Sequence, residues 1–265
     1  MLYIIAFTLF AVAVYLFILF IVKRDRGHRE PIGALLAAMG FGFLAVGIAG
    51  ITNEIFLPQA LMDSIGRTDT ATQATIPTVT LLKASLFVGF NEEILKALPL
   101  AIFIYHKKYF NELTDGVIYF GINALTFGII EDVVYSLSLG GDVGISRILF
   151  SPYLHVGFTV FFGLSLAYKK VLNRTWLLPV LGMVCAVLLH SIYDFVIFSH
   201  SSLGALIAFI LTVGLNIVVF VFFRKAQRDD EVRGQSTVGI NKYCRHCGEP
   251  NPEQLLYCSR CGKLS

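Results

Sequence analysis

Charge is scarce in this chain. Asp, Glu, Lys and Arg make up 15% of its 265 residues, while 56% are apolar before glycine is counted. Ordinary soluble domains reach about 45–50% apolar with glycine included. The mean hydropathy is +0.72. The excess comes in blocks, and the first, Leu2–Val22, holds no charge at all. It is long enough to cross a bilayer. No basic residue precedes its apolar core and no small-residue cleavage site follows, which argues against a signal peptide. A retained helix is expected there.

Cysteine is also sparse until the tail. Of the five, only Cys185 falls inside an apolar run, where plain packing accounts for it. No internal repeat is visible either. That counts against a transporter, whose halves often carry interrupted helices at matching places.

What is present is a series of long apolar runs. After Leu2–Val22 come Ile32–Ile51, Lys83–Tyr105, Asp115–Leu137, Ile148–Tyr168, Trp176–Phe198 and Leu203–Phe223. The expected fold is an all-α polytopic membrane protein of about seven transmembrane helices in one domain, residues 1–223. Lys and Arg mark its orientation. Lys23, Arg24, Arg26 and Arg29 follow the first run, Lys107 and Lys108 the third, and Lys169, Lys170 and Arg174 the fifth. Arg224, Lys225 and Arg228 follow the last. The opposite loops offer Arg67 and Arg147, with Lys83 at an interface. This bias predicts an N-terminus outside, a cytoplasmic C-terminus and a multi-pass place in the cell membrane. Anchoring at the inner surface accounts for the net charge of +3, so no nucleic-acid partner is expected. Trp176 and Tyr105 read as aromatic anchors at the inner boundary. His28 and His106 lie beside the basic clusters and His200 in a short outer turn, where no role is assigned.

Residues 224–242 are polar and read as a linker. Residues 243–265 then carry two CxxC pairs, Cys244/Cys247 and Cys258/Cys261, each followed by glycine. Four thiolates so spaced suit a tetrahedral structural zinc. Two disulfides are the competing reading, disfavoured in the cytoplasm. A small zinc ribbon is expected, serving as a structural module or as a dock for a cytoplasmic protein.

Ionisable residues inside the apolar runs carry the functional signal. They are Glu92, Glu93, Lys96, Glu131, Asp132, His155, His190 and Asp194. Each charge at mid-membrane costs about 2.5–3.5 kcal/mol on insertion scales. Helix-gluing pairs account for one or two of them, but a carboxylate and imidazole set suits chemistry better. Glu92 and Lys96 stand at i and i+4, the favourable orientation for a helical ion pair, and Glu93 is three residues from the same lysine. One carboxylate is then neutralised while its neighbour is freer to take a proton from water. His190 and Asp194 repeat the i, i+4 spacing, so Asp194 either orients the imidazole or binds directly. Phe127 and Glu131 share a helix face, and Asp132 points away from it. Pro152 is expected to bend the helix that carries His155. By helix rise, Glu92, Glu131, His155 and His190 each lie roughly 9–14 Å inside the outer ends of their helices. A shared pocket in the outer half of the bilayer is expected.

In sequence order, "EEILK", "FGIIE" and "HSIYD", with His155 between the last two, resemble the motifs of the PrsW family of intramembrane proteases. That family is related to the CAAX prenyl proteases and bacteriocin-processing enzymes. The resemblance covers the third to sixth runs. It implies hydrolysis of a peptide bond in a membrane-anchored protein, such as an anti-sigma factor. It places Glu92 and Glu93 at the water, with Glu131, His155, His190 and Asp194 completing the site and Lys96 and Phe127 in support. Glu131, His155 and His190 would make a three-ligand catalytic zinc site with one open position. The same imidazoles would otherwise hold an oxyanion. An ion or proton transporter, or a non-catalytic scaffold of the same fold, are the alternatives.

Overall fold

A computed structural model of the chain describes residues 30–58, 76–139, 151–199 and 202–232, together with positions 247, 249, 260 and 261. The described residues form six helices and no strand. These are α1 (Ile32–Phe56), α2 (Thr78–Phe103), α3 (Leu113–Leu139), α4 (Ser151–Leu172), α5 (Leu177–Phe198) and α6 (Ser202–Val232). The run Leu2–Val22, Cys244 and Cys258 lie outside the described residues. Of the other two tail cysteines, Cys247 is exposed and Cys261 half-buried.

Each helix follows from its local sequence. α1 and α2 start behind prolines, Pro31 and Pro77, held in extended backbone. A proline there stops the helix from running further back, and its carbonyl accepts the first helical N–H. Ala34 N donates to Pro31 O and Thr80 N to Pro77 O, both at 2.8 Å. α4 ends at Leu172, and Asn173 takes a left-handed backbone (φ 48°) that turns the chain back. Pro152 is the second residue of α4 as described. The residues before Ser151 lie outside the described ones, and so does the stretch in which the expected bend would fall. Pro99 stands inside α2, three residues beyond Lys96.

Four helices are long and apolar enough to cross a membrane: α1, α3, α5 and α6. α2 and α4 are of similar length but carry Glu92, Glu93, Lys96 and His155. They fall short because they hold the polar cargo. α4 is the enclosed centre, buried along most of its length. It packs on α3 on one side and on α5 and α6 on the other, while α1 leans on α3. α2 touches α5 and α1 broadly but approaches α3 and α4 only sparsely. Side chains, not backbones, bridge that last space.

Small residues set the close approaches, as helix packing in lipid requires. Gly116 and Gly163 meet where α3 crosses α4, and a Cβ on either would collide with the other's carbonyl oxygen. Gly89 of α2 lies against the Ser191 hydroxyl and the Val187 carbonyl of α5. A side chain there would push α2 away from His190. The outer faces are apolar: Leu36, Phe43 and Ile55 of α1 and Leu206, Ile210 and Ile217 of α6 are all exposed.

α6 runs beyond Phe223 to Val232, through the first part of the stretch expected to be a linker. The reason is a helix cap. Asp230 accepts the Leu113 and Thr114 amides at 2.9 and 3.0 Å, satisfying two N–H groups at the start of α3. Asp115 accepts the Asn111 and Glu112 amides at 2.6 and 2.8 Å.

Candidate active site

The ionisable residues of four helices meet in the space between α2, α3, α4 and α5. α2 supplies Glu92, Glu93 and Lys96, all buried. Successive helical positions point about 100° apart, so the neighbours Glu92 and Glu93 serve different partners.

Glu93 is fully engaged. Its Oε1 lies 2.6 Å from Lys96 Nζ and 2.9 Å from His190 Nδ1. Its Oε2 accepts the Thr159 hydroxyl at 2.8 Å. Of the two carboxylates expected within reach of Lys96, Glu93 is the one that pairs with it. Both spacings are open to a lysine on a helix, and His190 and Thr159 draw Glu93 to that side. Lys96 also meets His155 Nδ1 at 3.1 Å and sits 4.4 Å above the Phe127 ring. It is 0% exposed. The cation is thus held by a carboxylate, an imidazole and an aromatic face.

The histidines are oriented from behind. An ammonium donating to His155 Nδ1 leaves the proton on Nε2, which donates to Glu131 Oε2 at 2.9 Å. For His190, the contact of Nδ1 with Glu93 turns Nε2 toward Glu92 Oε2 at 3.6 Å and Asp194 Oδ2 at 3.7 Å. The two rings stand edge to face with centroids 5.2 Å apart. Phe158 stacks on His190 at 4.8 Å and fixes its plane.

Glu92 contrasts with its neighbour. Asn53 of α1 donates to its Oε1 at 3.5 Å, while the buried Oε2 has no hydrogen-bond partner. A buried carboxylate oxygen without a donor is costly. Here it faces the two imidazoles. Glu92, His155 and His190 bring one donor atom each within 4.8 Å of one another. Carboxylate and imidazole donors suit a divalent transition metal, and Glu93 behind His190 acts as a carboxylate does behind a ligating imidazole. The donor set fits such an ion once His155 gives up its contact with Lys96 or with Glu131 to free a lone pair. Glu92 takes part in this grouping, where Glu131 was expected from the motifs. Glu131 instead contacts His155.

Every residue singled out from the motifs is therefore within one connected cluster. Asp132 is buried on α3. Sequence reasoning missed Asn53, Thr159 and Phe158. Thr159 was within reach, because it stands one helical turn after His155. Asn53 carried no signal, because α1 was expected to end at Ile51 and no motif lies on it. Asn91 Nδ2 donates to Thr52 Oγ1 at 2.6 Å and to Asn53 Oδ1 at 3.1 Å, which ties the end of α1 to α2.

Comparison with known proteins gives the family. A family model described as PrsW family intramembrane metalloprotease matches residues 30–224. Protease PrsW of Shouchella clausii is 32% identical over 50% of this chain and 63% of its own length. That of Halalkalibacterium halodurans is 33% identical over the same shares. The Geobacillus kaustophilus protein is 27% identical over 68% of this chain and 74% of its own length. The match thus spans less than two thirds of the first two relatives. No solved structure matches. The family match covers the helices that build the site and all of its residues, and the chain, a multi-pass membrane protein, belongs to the PrsW family of intramembrane metalloproteases.

Proposed function

We propose that this chain is an intramembrane endopeptidase that cuts a membrane-anchored protein, with water activated by glutamate. One observation carries the reading: Glu92 Oε2 is buried, has no hydrogen-bond partner and faces His190 Nε2 at 3.6 Å. An oxygen kept in that state is ready to take a proton. Glu92 accepts it from water placed between the carboxylate and the imidazoles. Glu93 does not serve as a second base, because Lys96, His190 and Thr159 occupy it. It positions His190. His190 turns Nε2 toward the reacting carbonyl and stabilises it as an N–H donor once protonated, Asp194 balances that ring when it gains charge, and His155, held by Lys96 and Glu131, packs beside it.

With a divalent metal, Glu92, His155 and His190 would hold it, and the ion would polarise the water and the scissile carbonyl. Glu92 is needed in either version. The site lies in the outer half of the bilayer in a chain of seven spans with its N-terminus outside. The substrate is a single-span protein such as an anti-sigma factor. The tail, residues 243–265, holds a structural zinc through Cys244, Cys247, Cys258 and Cys261 and docks a cytoplasmic protein.

The test is cleavage of a tagged single-span protein in proteoliposomes. The wild-type chain releases a fragment and Glu92→Ala does not. Equal fragment from both proteins overturns the reading. A pH or ion gradient dissipated by the wild-type chain, without any fragment, would favour a transporter.

A further inference from the structure

A cavity of about 440 Å³ opens between α4, α5 and α6, on the far side of α5 from Glu92. Its walls are apolar: Phe161 and Leu164 of α4, Leu178 and Leu181 of α5, and Phe222 of α6. Polar groups in the wall are already used. The Ser165 hydroxyl donates to Phe162 O at 2.7 Å, and the Tyr168 hydroxyl donates to Asp229 Oδ2 at 3.4 Å. Lys225 stands at one end, exposed, where the apolar part of α6 gives way to Arg224, Lys225 and Arg228. Cys185 stands in the wall toward the other end.

This pattern selects its occupant. A polar small molecule would bury groups that no wall residue can satisfy. An unbranched hydrocarbon chain needs no polar partner and narrows to fit. Lysine keeps its stem along the apolar wall and its ammonium in the headgroup layer. Among the described residues Lys225 is the cation that lines the cavity, and it calls for an anion at its mouth, at the depth where a phosphate lies. We infer that the cavity is a binding site for an anionic phospholipid, with one acyl chain between α5 and α6 and the headgroup on Lys225. The site stands apart from the proposed cleavage chemistry. Its inner end adjoins the cluster of Phe158, Leu215 and Phe161 that packs behind His190.

The test uses the full chain in nanodiscs with two photo-crosslinking lipids. They share one diazirine acyl chain and carry either a phosphatidylglycerol or a phosphatidylcholine headgroup. Labelling is mapped by mass spectrometry at Phe161, Leu181 and Cys185, with Leu36 and Phe43 of α1 reporting ordinary lipid contact. The anionic probe is expected to label the cavity about fivefold more than the neutral probe, as one basic residue at the surface allows. Lys225→Glu should abolish that ratio and Lys225→Arg restore it. Cys185→Phe, which fills the cavity, should lower labelling at Phe161 and leave Leu36 unchanged. Lys225 is exposed, so its variants test the charge without disturbing the fold. Equal labelling by the two probes, or a ratio unmoved by Lys225→Glu, would reduce the cavity to general lipid contact. Labelling of Leu36 but not of the cavity by either probe would mean that protein covers it. Either result overturns the inference.

Discussion

Two buried polar clusters among the described residues are built differently. At the start of α3, Asp115 and Asp230 point their oxygens at backbone amides of residues 111–114. That cluster closes a helix end, which would otherwise leave N–H groups unsatisfied. Between α2, α4 and α5, the polar residues spend their contacts on one another. Glu93, Lys96, His155 and His190 form a chain of short pairs, and none serves a helix terminus. The chain ends on an oxygen of Glu92 that has no hydrogen bond. Burial alone does not separate structural from functional carboxylates, since Glu93 and Asp230 are 1% and 2% exposed. What each carboxylate is bonded to does separate them: backbone amides in the first cluster, an ammonium and an imidazole for Glu93 in the second.

The sharpest way to break this comparison is Glu92→Gln. It keeps the shape and removes the proton acceptor. Cleavage in proteoliposomes should fall by ~10²–10⁴-fold, the usual loss for a general base. The amount of folded protein in the membrane should stay at the wild-type level. Retained cleavage would place Glu92 with the structural carboxylates.

Lys96→Met comes next. It leaves Glu93 buried without its cation, which costs about 3–5 kcal/mol for a broken buried pair. Thermal unfolding in detergent should show a clear loss. The double variant Glu93→Gln, Lys96→Met should recover much of that stability and still fail to cleave, because His190 is no longer held. Recovery of cleavage in the double variant would mean that the pair is only glue.

Asp230→Ala tests the other cluster. Losing a cap costs about 0.5–2 kcal/mol. Unfolding should shift by that amount, with cleavage per folded molecule unchanged. A drop in turnover without a loss of stability would make the cap part of the site.

The smallest effect is expected from truncation after Val232. It keeps the Asp230 cap and removes the cysteine tail. Cleavage in the purified system should persist, while one equivalent of zinc is lost from the chain. Metal analysis of this shortened chain with and without His190→Ala then reads the site between α2 and α5 alone. Loss of cleavage on truncation would join the two modules.

Long apolar runs were legible without any structure, because lipid leaves few alternatives to a helix. α1, α3, α5 and α6 follow from that pressure, and α2 and α4 stand where expected despite their polar residues. The site residues were legible for the same reason, since Glu92, Lys96, His155 and His190 are conspicuous in apolar surroundings. Helix ends were less so. The far end of α6 looked like a linker because its residues are polar, and only the α3 terminus it caps explains why it stays helical. The pairing inside the site belongs wholly to the tertiary structure. Spacing allowed Lys96 to reach either glutamate, and the choice of Glu93 is made by His190 and Thr159 on two other helices. Asn53 holds one oxygen of Glu92 from a helix that carries no motif. A one-dimensional pattern specifies which side chains share a helix face. Which of them is left with an unused lone pair depends on what three neighbouring helices bring against that face.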